Sequence, residues 1–110
     1  MSIEQLTNDL KEVYFIEANP ANWTAAGVHP TELSQQEKAA RSLDKKDAAL
    51  TAGLLVKTMQ IAELMGALPG KDKRTAAERA EAEALEKTLA DAQTEAAKIT
   101  DRLRAQGLLN

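Results

Sequence analysis

The sequence predicts an all-α fold: a short N-terminal helix followed by a long antiparallel helical hairpin, in a bundle completed by oligomerisation. Three observations predict it. Helix-start signatures recur three times, at Ser2, Ser34 and Thr75, each followed three residues later by Gln5, Glu37 or Glu78. Apolar residues between these signatures fall three or four apart, the spacing of one helix face. The chain is 44% apolar but only 3% aromatic, so its core is built from Leu, Ile, Val, Met and Ala. That composition suits packed helices better than a β-sandwich.

The 110 residues make one helical domain, 1–110. Helix 1 is placed at about 3–18, with Ile3, Leu6, Leu10 and Val13 as its stripe and Tyr14, Phe15 and Ile16 thickening its far end. Asn19-Pro20 ends it, because a proline disfavours helical geometry in the residue before it. The segment 19–33 holds two prolines, Gly27, the single Trp and the single His. It reads as an irregular loop, long enough to carry a function.

Helix 2 is placed at about 34–67. Its first half is charged, with Ala40, Leu43 and Ala48 as a thin stripe. From Leu50 to Leu68 it is apolar over most of its circumference, apart from a polar strip at Lys57, Gln60 and Glu63. A helix this apolar must be covered from more than one side. The turn 68–75 leads into helix 3, placed at about 76–106. Its stripe is Ala82, Leu85, Leu89, Ala92, Ala96, Ile99 and Leu103, an unbroken alternation of three- and four-residue steps and hence a heptad seam. Three of these seven are alanine, which predicts a closely packed neighbour; the short turn makes helix 2 that neighbour. Gly107 reads as a left-handed C-terminal cap, with Leu108 set to touch Leu103.

Helix 1 and a narrow seam cover only part of helix 2, so Leu55, Val56, Met59 and Ala62 are expected to stay partly bare. They are the self-interface candidates of a homo-oligomer, most simply a dimer. The acidic start and basic end of helix 3 complement the helix dipole; they also fit an antiparallel pairing of two helix 3 copies.

The residues that could carry chemistry are few. Without cysteine, disulfides, thiolate metal sites and thiol catalysis are excluded. His29 has no flanking motif of a nucleophile elbow or metal site, and no His, Asp and Glu set has ligand spacing. No catalytic residue, metal or cofactor is assigned. The segment Gly66–Lys71 fails as a phosphate loop: its glycines are one residue too close, and Asp72 stands where a Ser or Thr is needed. Lys71, Lys73 and Arg74, before the start of helix 3, remain candidates for anion binding. Trp23 is either a plug seating the loop on the helices or, with Val28 and His29, a surface offered to a partner protein.

A net charge of -3 with interleaved signs disfavours nucleic acid. No N-terminal signal is visible, and the longest apolar run falls short of a membrane span, so a cytoplasmic location is expected. The sequence therefore points to a non-catalytic protein that acts by association, as an oligomeric adaptor, assembly factor or inhibitor. The alternatives are an oligomer that sequesters a small anion such as a nucleotide, and a helical nucleic-acid-binding regulator.

Overall fold

A computed structural model describes residues 2–109, which contain three α-helices and no strand: α1 (Ile3–Glu17), α2 (Gln35–Ala67) and α3 (Ala76–Ala105). Short 3-10 turns occupy Pro20–Asn22, Pro30–Glu32 and Lys71–Lys73.

The helix ends are fixed by local chemistry. Ser34 Oγ accepts from the Glu37 N–H at 3.1 Å, while the Glu37 carboxylate accepts from the Ser34 N–H at 3.0 Å. Thr75 and Glu78 repeat the exchange at 3.1 and 2.8 Å. The first start is only half such a box: Ser2 Oγ accepts from the Gln5 N–H at 3.1 Å, and Gln5 returns no bond. At the far end Gly107 takes φ 76°. Its N–H reaches the Arg104 carbonyl at 3.0 Å and the Leu108 N–H reaches Leu103 at 2.9 Å, the two bonds that close a Schellman turn.

The two complete boxes make the fold acid-sensitive. The hydrogen bond from the backbone N–H of Ser34, then that of its side chain, holds Glu37 below the ordinary carboxylate value; Thr75 does the same to Glu78. A carboxylate depressed in the folded state contributes stability above its unfolded pKa and loses it as pH falls through the folded one. Replacing both Glu37 and Glu78 with Gln is expected to lower the melting temperature at neutral pH. It should also flatten the decline between about pH 5 and about pH 3, as followed by circular dichroism.

The hairpin α2–α3 is antiparallel, and α1 lies in its groove. Glu17, at the end of α1, meets Thr51 and Arg102; Leu6 and Leu10, further back, cluster with Ala92 and Ala96. So α1 runs against α2 and alongside α3. This placement accounts for the alanines. Ala92 and Ala96 are buried beneath Leu6 and Leu10, with Leu54, Leu55 and Leu89 packed around them. The seam expected to face helix 2 alone is shared with α1, whose leucines fill the space above the small residues.

In α2 the packed side differs from the sequence expectation. Its fully buried side chains are threonines, Thr51 and Thr58, alongside Ala48 and Ile61. Thr58 Oγ1 donates to the Leu54 carbonyl one turn back at 2.9 Å, so it carries no unmet polarity into the core. The leucines stand to the sides. Leu43, expected in an inward stripe with Ala40 and Ala48, is exposed, as are Leu50 and Leu64. Phe15, expected to thicken the far end of helix 1, is the most exposed large apolar side chain among the described residues. The molecule is long and thin, 62 × 25 × 16 Å.

Candidate functional site

Polar side chains gather where the three helices converge. Glu17 lies in the last turn of α1, where a helix's partial negative charge opposes a carboxylate. Its side chain is 5% exposed and fully engaged. Thr51 Oγ1 donates to Oε1 at 2.5 Å, and Arg102 donates from Nη2 to Oε2 at 2.5 Å. Arg102 also pairs with Asp47 across 3.7 Å. One residue from α1, two from α2 and one from α3 thus form a clasp. The Glu17 carbonyl accepts from Trp23 Nε1 at 2.6 Å, and the Ile16 carbonyl accepts from Asn22 Nδ2 at 2.9 Å. The Glu17 carbonyl, which the end of α1 leaves free, is thereby satisfied, and the Ile16 carbonyl, which also accepts from the Asn19 N–H, gains a second donor.

A second cluster seats the loop. The Arg41 guanidinium donates to the carbonyls of Thr24 at 3.2 Å, Ala25 at 2.5 Å and Val28 at 3.4 Å. Asp44 accepts from both the backbone N–H and the hydroxyl of Thr24, at 2.8 and 2.9 Å. Ala25 is held at φ 55°, a conformation a side chain resists, so the guanidinium grips a loop that would not adopt this path unaided.

The loop residues singled out in the sequence are thereby placed. Trp23 is half-buried over the clasp, with Lys45 Nζ 5.7 Å from its ring centre. Val28 is half-buried and lends its carbonyl to Arg41. His29 is exposed; its Nδ1 accepts from the Thr31 N–H at 3.3 Å and caps the turn at Pro30. Among the described residues no set of three His, Asp or Glu is placed to hold a metal ion.

At the hairpin tip a groove of about 540 Å³ is lined by Lys71, Arg74 and Arg79, but also by Asp72, Glu83 and Glu86. Arg74 Nε donates to the Pro69 carbonyl at 2.9 Å, and Arg79 donates to the Arg74 carbonyl at 3.3 Å. Lys71 and Lys73 are exposed. The site's charges are mixed and its guanidinium groups are turned to the backbone.

The largest unexplained feature is apolar. Facing away from the packed side of α2, Leu50 is 65% exposed, Val56 53% and Met59 48%, and Leu43 and Leu64 are exposed too. Of the four residues expected to be partly bare, Val56 and Met59 are exposed. Leu55 packs against the core and, like Ala62, is half-buried. Leu50, Gly53 and Leu54 form one wall of a groove of about 560 Å³, with Ile99 opposite and Asp47, Lys57, Glu95 and Lys98 at its rim. Gly53 sits mid-helix, where it costs about 1 kcal/mol against alanine. A Cβ there would meet nothing within 4 Å, so packing inside the chain does not call for it.

By length and composition alone α2 is able to cross a membrane, with a mean hydropathy of 1.2 over its most apolar 18 residues. The core helix of a soluble protein meets the same criterion. Its outer arc carries Lys57, Gln60 and Glu63, all exposed, and charged groups at bilayer depth are costly.

The clasp and the Arg41 anchor escaped the sequence reading. One signal was present: an acid in the last turn of helix 1 demands a compensating cation, and Arg102 sits beside the seam residue Leu103. The fold defines the chain as an all-helical, three-helix protein. No protein-family model, curated protein or solved structure matches it.

Proposed function

We propose that the chain acts by association, as a non-catalytic helical protein whose outer α2 surface is buried against another protein surface, in the first instance a second copy of itself. The observation that carries this reading is the exposure of Leu43, Leu50, Val56, Met59 and Leu64 on the arc of α2 that faces away from its packed side. Contiguous apolar patches on a water-facing surface mark interfaces. The roles this fits are adaptor, assembly factor or inhibitor. The mixed charges at the hairpin tip favour the anion-sequestering alternative less, and a polar, weakly acidic surface gives nucleic acid little to hold.

Met59→Glu places a charge on the exposed arc without touching the core. It is expected to weaken self-association at least tenfold, about 1.4 kcal/mol, with helicity unchanged. Light scattering at several concentrations, with circular dichroism alongside, reads both. A wild-type protein that stays monomeric at every concentration would overturn self-association.

A further inference from the structure

We infer that the second copy docks antiparallel, α2 against α2, about a two-fold axis passing between Leu54 and Leu55. This rests on the association reading above and gives it a register. On the outer side of α2, Lys46, Ala49, Gly53, Val56, Gln60 and Glu63 follow steps of 3, 4, 3, 4 and 3, and all six are exposed. This is a strip of heptad spacing, small at its centre and polar at its ends, that no side chain covers among the described residues.

Its ends carry opposite charges, and among the described residues neither Lys46 nor Glu63 makes an ion pair or side-chain hydrogen bond within its own chain. An antiparallel copy sets Lys46 against Glu63 of the second copy at one end and Glu63 against its Lys46 at the other. A parallel copy stacks lysine on lysine and glutamate on glutamate. Charge complementarity therefore selects the antiparallel pairing.

The centre agrees with the ends. In this register Gly53 faces Val56 of the second copy, twice, and Ala49 faces Gln60. The open space beside Gly53 is filled by the valine of the incoming helix. By helical spacing Leu50, which lines the groove towards α3, flanks the strip on one side and Met59 on the other, so both exposed side chains border the contact. The seam is about 27 Å long.

The absence of native cysteine makes cross-linking a direct test. Copies of Ala49 are about 16 Å apart in the antiparallel register, from 11 residues at 1.5 Å each, beyond the reach of a disulfide. Ala49→Cys and Gln60→Cys are therefore each expected to stay uncross-linked alone under mild oxidation and to form a mixed disulfide dimer when combined. Lys46→Glu should weaken dimerisation at least tenfold, and adding Glu63→Lys to the same chain should restore it. Rapid cross-linking of Ala49→Cys with itself would show a parallel pair and overturn the register while leaving self-association intact. A wild-type dimer by light scattering that yields no mixed disulfide would place the interface on another face, again overturning the inference alone. A monomer at all concentrations would overturn both.

Discussion

Replacing Arg102 with leucine is expected to cost the fold about 3–5 kcal/mol, because it leaves a buried carboxylate without its cation. Glu17 is nearly sealed from water, whereas Arg102 is 37% exposed and keeps Asp47 as a second partner. The two halves of the pair should therefore not be equivalent. Glu17→Leu leaves a cation that still reaches water and Asp47, and should cost less than Arg102→Leu. The double variant should be closer to wild type than the sum of the singles, since apolar side chains can replace a buried ion pair without leaving an orphan charge. Urea denaturation of the four proteins completes the cycle. Equal and additive losses would show that the clasp does not act as a unit.

The second large effect belongs to the alanine seam. Leu10 is fully buried against Ala92 and Ala96. Truncating it to alanine is expected to cost about 2–5 kcal/mol, the range for emptying a leucine-sized space in a core. The converse change, Ala96→Leu, inserts volume where α1 already sits and should cost about 1–3 kcal/mol. If Ala96→Leu were instead neutral in thermal unfolding, α1 would not be held against α3 at this level. Both variants should spare the outer face of α2, so cross-linking there offers an internal control for any folded fraction.

The helices were legible because their signals are local. The exchange between Thr75 and Glu78 needs four consecutive residues, and the Gly107 turn needs six. The alanine stripe was visible for the same reason, since a heptad is a property of one segment. What the stripe packs against is not local. Periodicity states that Ala92 faces something close, yet the choice between α2 and α1 depends on how the connection 18–34 directs the chain, and that path is set by Arg41 gripping three carbonyls of the loop. The clasp was hidden likewise: Thr51 lies among leucines and reads as tolerated, and only the arrival of Glu17 34 residues away in sequence gives it a purpose. The outer face of α2 was half legible. Its excess of apolar residues could be counted, but Leu55 and Val56, adjacent in sequence, fall on opposite sides of the packing boundary.

The slender outline has a practical consequence. A radius of gyration of 17.9 Å far exceeds the roughly 13 Å of a rounded 110-residue chain. Frictional drag will therefore make a lone subunit migrate through a sizing column like a heavier sphere. Elution volume alone will confuse one copy with two, and only methods that weigh the particle, such as scattered intensity or sedimentation equilibrium, can count subunits in this protein.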